Sequence, residues 1–228
     1  EGYLGVSFFF ILSGFILSYT YHNKLTTKLV SSKEFIINRI TRIYPLHFLT
    51  LIVSLPLVLV SISGGLDFII QSINFFINGT LIQSFVPVKG VYFGFNSPSW
   101  SISTEMFFYL LTPLLFNFLY KINNIKSITI VLCISFFILI GINFIPEKYH
   151  HSIFYINPLI RIFDFIIGIV LFHVFNNNSS VIFSTLKSTF LETFSILLFI
   201  VFFYFHKDIP QVYRYSIYYW IPMIYIIY

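Results

Sequence analysis

Three stretches of this chain, Leu4–Tyr21, Ile43–Ile62 and Ile128–Ile145, contain no Asp, Glu, Lys or Arg. A helix of about 20 apolar residues, rising about 1.5 Å per residue, reaches across the hydrocarbon core of a bilayer. Leu191–Phe205 is a fourth, shorter apolar run with Glu192 at its edge. None of these runs alternates apolar and polar residues at period two, which argues against a lipid-facing β-barrel. Water is an equally poor solvent for the rest of the chain. Hydrophobic residues make up 57% and charged residues 9%, against about 25% charged in a soluble domain. A single core in a chain of 228 residues cannot hide that much apolar surface. The fold class is therefore all-α, a polytopic transmembrane helix bundle.

Seven apolar elements are expected, at about 3–21, 43–62, 100–120, 127–145, 157–175, 189–206 and 214–228. No soluble domain or internal repeat is visible; 176–180 reads as a short loop. The chain is expected to be one domain over 1–228 that continues beyond both ends. Leu4–Tyr21 is too long, and lacks the basic flank, for a signal peptide. Cys133 is the only cysteine, so no disulfide framework is possible.

Five basic residues, Lys24, Lys28, Lys33, Arg39 and Arg42, crowd the first connection and make it cytoplasmic. Segment 67–86 is ambiguous. It carries Asp67, Gln71, Asn74, Asn78, Gly79, Thr80 and Gln83. Its polarity favours an interfacial or re-entrant helix on the outer side. The inner loops then also hold Lys121, Lys126 and Lys187, while Lys89, Lys148, Lys207 and Arg214 lie outside. A spanning 67–86 would exchange the later loops, and counting basic residues does not decide between the two.

Charged residues inside or at the edge of apolar helices are costly and point to function. Arg39 and Arg42 are three apart and share a helix face at the inner boundary. Two guanidiniums there offer bidentate donors to phosphate, or simply anchor the helix in the cytoplasmic interface. Glu105 sits in the first turns of an apolar helix, with Ser101 four residues before it and Tyr109 four after, on one face. Glu near a helix N-terminus can also just answer the helix dipole. Trp100 suits an interface anchor or a substrate platform. Arg161 and Asp164 are again three apart; Arg161 could pair locally or reach across to Glu105. His47 lies in a spanning helix and is a tempting base. His150 and His151 form a pair without a third metal ligand, and no metal site is expected. Gly5, Ser13 and Gly14 permit close helix packing or close approach of a cofactor.

Three segments taken in order resemble the acyltransferase-3 family: Gly2-Tyr-Leu-Gly-Val-Ser-Phe-Phe-Phe-Ile-Leu-Ser-Gly-Phe15, Phe35-Ile-Ile-Asn-Arg39-Ile-Thr-Arg42-Ile-Tyr-Pro45-Leu46, and Pro98-Ser-Trp100-Ser101-Ile-Ser-Thr-Glu105-Met-Phe-Phe-Tyr109. Arg161-Ile-Phe-Asp164-Phe-Ile-Ile-Gly168 is a weaker fourth. The resemblance implies a membrane O-acyltransferase of about ten helices in the bacterial inner membrane. Such a protein moves an acyl group, commonly acetyl, from cytoplasmic acyl-CoA to a hydroxyl of an exported carbohydrate. Acyl-CoA is then a co-substrate, with no bound cofactor. The resemblance assigns Arg39 and Arg42 to the coenzyme A phosphates and Glu105 and Ser101 to catalysis. It makes Trp100, Tyr109, Arg161 and Asp164 candidates for the substrate, and it places the family's catalytic histidine on a helix before Glu1. A glycan or lipid transporter is the alternative reading of the same intramembrane charges.

Overall fold

The computed structural model describes residues 2–122, 124–177 and 185–227, with side chains from 189 onward in the last stretch. Lys187 and much of the expected loop 176–180 fall outside the described side chains. The described chain is helical throughout: α1 (Gly2–Thr26), α2 (Ser32–Val60), α3 (Gly65–Gly79), the short α4 (Lys89–Tyr92), α5 (Ser99–Leu119), α6 (Asn124–Phe144), α7 (Pro158–Asn177), α8 (Thr185–Tyr204), the short α9 (Gln211–Arg214) and α10 (Ile217–Ile227). Six of these helices are long and apolar enough to cross a membrane. They match six of the seven expected elements, and α10 begins the seventh. Large apolar side chains such as Val53, Leu57, Leu114 and Phe137 project outward from the bundle. That is the surface a bilayer covers.

α2 starts well before its charge-free run. Ser31 accepts a hydrogen bond from the Glu34 amide (3.1 Å). Ser31-x-x-Glu34 is the capping-box spacing that starts a helix. Arg39 therefore sits two turns inside α2, not at its entrance.

α3 has 15 residues, about 22 Å of helix, too short to cross. It folds back along the C-terminal half of α2. Near its C-terminus, Tyr44 Oη donates to the Gly79 carbonyl (2.9 Å) and His47 Nε2 meets the Asn78 carbonyl (2.9 Å). The following segment stays at that depth, since Asn96 Nδ2 donates to Thr50 Oγ1 (3.2 Å) and Gln83 Nε2 to the Ser99 carbonyl (3.2 Å). α5 then runs beside α2, with Asn96 against Thr50 and the Tyr109 ring against Arg39. It is long enough to cross by itself, whereas α3 is not.

α1 and α7 run parallel and form the most intimate contact of the bundle. A Cβ built on Gly14 would fall 2.1 Å from the Phe165 carbonyl oxygen, and one on Gly168 would fall 2.0 Å from that of Ile11. Only hydrogen at these two positions lets the backbones meet, a small-residue crossing familiar in membranes. Around it pack Phe10, Phe108 and Phe165, with ring centroids 5.0 and 5.1 Å apart.

Candidate active site

Helical periodicity turns one face each of α1, α2 and α5 toward a common cavity of about 510 Å³. On α2 the lining residues are Arg39, Arg42, Ile43, Leu46, His47 and Thr50, and on α1 they are Phe9, Leu12, Ser13, Ile16 and Leu17. Both sets follow the three-and-four spacing of a single helix face. Ile102, Glu105 and Tyr109 close the cavity from α5, and Asn96 from the loop before it. The volume lies within the range of small-molecule sites.

Four of the expected site residues, Arg39, Arg42, Glu105 and Tyr109, share this chamber. Tyr109 Oη donates to Glu105 Oε1, one helical turn away. Arg39 is buried, donates through Nη2 to Tyr21 Oη (2.6 Å), and lies over the rings of Tyr21 (4.9 Å) and Tyr109 (5.8 Å). Its Nε has no hydrogen-bond partner among the described residues. Arg42 is exposed and lines the same cavity as Glu105. Neither arginine closes an ion pair with Glu105, so both keep donors to offer.

His47, which the sequence offered as a tempting base, is a wall residue. It is 1% exposed. A carbonyl oxygen can only accept, so the contact to Asn78 requires hydrogen on Nε2 of the neutral ring and leaves the lone pair on Nδ1. Nδ1 is buried without a partner. Ser13 also faces the cavity, whereas Gly14 next to it serves the α1–α7 crossing. Nothing in the sequence distinguished the two neighbours except helical phase.

Other expected site residues lie elsewhere. Ser101 does not line the cavity; its hydroxyl donates to the Pro98 carbonyl (2.9 Å). Trp100 is buried in the core against Tyr155, with centroids 4.7 Å apart. Arg161 pairs locally with Asp164 (3.0 Å), both essentially inaccessible, and does not reach to Glu105. Arg161 also donates to the Tyr215 carbonyl (2.8 Å) and Ser7 Oγ (2.9 Å), while Trp220 Nε1 donates to Asp164 (2.6 Å). This group ties α1, α7 and α10 together on a different face of α1 from the cavity. The adjacent histidines part company: His150 Nε2 meets the Ile145 carbonyl (2.8 Å) and His151 Nδ1 meets Tyr92 Oη (3.3 Å). Burial, and then the charge of Lys89, hold the His151 ring below its ordinary pKa.

The family known as the acyltransferase domain, Acyl_transf_3, matches residues 2–228. The chain belongs to the acyltransferase-3 family. Among similar proteins, acyltransferase MdmB of Streptomyces mycarofaciens is 35% identical over 127 residues, which is 53% of this chain and 30% of MdmB. An uncharacterized protein of Haemophilus influenzae is 26% identical over 210 residues, covering 83% of this chain and 82% of its own length. No solved structure matches. For this acyltransferase-3 chain, the segments that carry Arg39, Arg42 and Glu105 line the cavity together with Phe9, Leu12 and Ser13 of the first segment, and the segment from Arg161 to Gly168 builds the packed side of the bundle.

Proposed function

We propose that the cavity is the acyl-transfer site of a bacterial inner-membrane O-acyltransferase. The donor is cytoplasmic acyl-CoA, commonly acetyl-CoA, and the acceptor is a hydroxyl of an exported carbohydrate. The observation that carries this reading is the clustering of two unpaired arginines and a carboxylate at one end of an apolar chamber. Arg39 and Arg42 lie at the end of α2 nearest the basic connection, where a cytoplasmic phosphate group arrives. Guanidinium forks suit phosphate oxygens. The aliphatic wall from Leu12 to Leu17 and from Ile43 to Leu46 suits the acyl chain and the thioester arm. In the reaction the acceptor oxygen attacks the thioester carbonyl, the new C–O bond forms, and the C–S bond breaks. The hydroxyl proton leaves with a base, and coenzyme A departs as thiolate or thiol. Glu105, steadied by Tyr109, orients the acceptor or the base. The base itself is expected, from the family resemblance, on a helix before Glu1.

Labelled acetyl-CoA binding to membranes containing the full-length protein tests the reading. Replacing both Arg39 and Arg42 with Ala is expected to abolish saturable binding and transfer while the protein remains in the membrane. Unchanged binding in the double variant would remove the phosphate role. Absence of both binding and transfer in the wild type would favour transport of a glycan or lipid along the same charged path.

A further inference from the structure

Arg39 is held in the cavity wall in an unusual way. Its side chain is buried, yet it makes no ion pair among the described residues, not even with Glu105 in the same chamber. A buried cation without a counter-charge is costly. What holds the guanidinium is aromatic. Tyr21 Oη accepts from Nη2 (2.6 Å), and the guanidinium carbon lies over the rings of Tyr21 (4.9 Å), Phe35 (5.6 Å) and Tyr109 (5.8 Å). Tyr21 and Phe35 brace each other edge to face, with centroids 5.0 Å apart. Leu17 is the last α1 residue to line the cavity; Tyr21, one turn further along α1, does not line it and reaches it through Arg39. α1 packs chiefly on α7 and α2 on α5, so this cluster is where the α1 and α2 walls are joined, at the end of the cavity nearest the basic connection.

We propose that Tyr21 is a positioning residue for the acyl donor: it holds the Arg39 guanidinium, with its charge uncancelled, in the orientation that receives a donor phosphate. The choice of a phenol is the physical argument. A carboxylate in the same place would bind the guanidinium more tightly and neutralise it. A hydroxyl oxygen and three ring faces fix its direction and leave a full positive charge to meet an anion. The proposal rests on the acyl-transfer reading for the identity of the donor, but not for its geometry. The plain structural role for Tyr21 is a tie between α1 and α2 and nothing more.

The two roles separate in the binding of labelled acetyl-CoA to membranes containing the full-length protein. Tyr21→Phe keeps the ring under Arg39 and deletes the hydroxyl. It is expected to raise the acetyl-CoA Kd, and the KM with it, about tenfold, the worth of about one hydrogen bond. The kcat should stay within about twofold of wild type, since the thioester is attacked elsewhere in the chamber. In Arg39→Ala protein, which keeps Arg42, adding Tyr21→Phe should change the Kd by less than about twofold, because the hydroxyl then has no guanidinium to hold. A further rise of about tenfold in that background would mean that Tyr21 meets the donor itself, and would overturn the positioning role. A Tyr21→Phe Kd equal to wild type, with only a lower unfolding midpoint, would also overturn it and leave the tie between helices. Binding and transfer are read separately. A wild type that binds acetyl-CoA about tenfold more tightly than Tyr21→Phe yet transfers nothing removes the acyl-transfer reading and keeps the role of Tyr21. A wild type that binds no acetyl-CoA removes both.

Discussion

Two charge constellations sit on different faces of α1, and they are built on different terms. On the α7 side, Arg161 and Asp164 form an ion pair with almost no accessible surface, and Ser7, Tyr215 and Trp220 hydrogen-bond to it, while Arg161 Nε and Asp164 Oδ2 have no hydrogen-bond partner among the described residues. On the α2 side, Arg39, Arg42 and Glu105 share a cavity, make no ion pair with one another, and leave donors unspent. Apolar surroundings punish an uncompensated charge, so a packed site must pair its charges or lose them. A site that meets ligands cannot consume its donors internally. Charge pairing and burial of the first group mark it as a fastener between α1, α7 and α10. The unpaired charges of the second fit the acyl-transfer role proposed for it.

The largest expected effect falls on the fastener. Arg161→Ala strands Asp164 in the packed interior and is expected to destabilise the protein by about 3–5 kcal/mol. Thermal or denaturant unfolding in detergent measures this. Arg161→Met with Asp164→Leu removes both charges and should recover most of the loss, since a well-packed apolar pair can match a buried ion pair. Failure of the double replacement to recover would mean that the bonds from Arg161 to Tyr215 and Ser7 matter more than the charge itself.

The same kind of change on the cavity side should separate activity from stability. Glu105→Gln keeps an acceptor for Tyr109 and removes the charge facing the two arginines. The expected result is a loss in kcat of about 10–100-fold, the worth of a hydrogen bond to a charged group. The unfolding midpoint should barely move. A large fall in stability with normal turnover would place Glu105 with the fasteners instead.

Much of this division was legible in the sequence, and what was not has physical reasons. Charge-free runs located the spanning helices because the bilayer demands length and apolarity from each one separately. They did not locate the start of α2. That boundary is set by the Ser31–Glu34 cap, a hydrogen-bonding device independent of hydropathy. Charge in an apolar setting singled out Arg39, Arg42 and Glu105 as candidates. Arg161 and Asp164 have the same signature and a different role, because pairing is decided by which neighbour is nearest in space. His47 gains its meaning from Asn78, 31 residues later, through a helix that turns back without crossing. Ser13 and Gly14 are adjacent in sequence and face different partners. Only the phase of α1, set by its contact with α7, tells them apart.

That contact supplies a smaller test. Gly14→Ala drives a methyl group into the Phe165 carbonyl. Backbone cannot step aside as a side chain can, so a cost of about 1–3 kcal/mol is expected in unfolding measurements. Gly5→Ala, on the same helix with nothing near its Cβ position, should cost nothing or gain slightly from improved helix propensity, by about 0.5–1 kcal/mol. Equal effects at the two positions would show that α1 and α7 are not held at backbone distance.

The smallest expected effect lies where the two regimes touch. Tyr109 faces the cavity, yet its hydroxyl is used within the protein, donating to Glu105. Tyr109→Phe deletes that bond and leaves the ring over which Arg39 lies. A fastener role predicts a loss of about 0.5–1.5 kcal/mol in stability and unchanged turnover. A site role predicts the reverse, because the carboxylate would remain solvated by the cavity but lose its orientation. The second outcome is expected: a fall in kcat of several-fold, smaller than that of Glu105→Gln, with both KM values held. Combining the two replacements decides it. If Tyr109 acts only through Glu105, the double variant should be no slower than Glu105→Gln alone, a non-additivity that two independent contacts would not show.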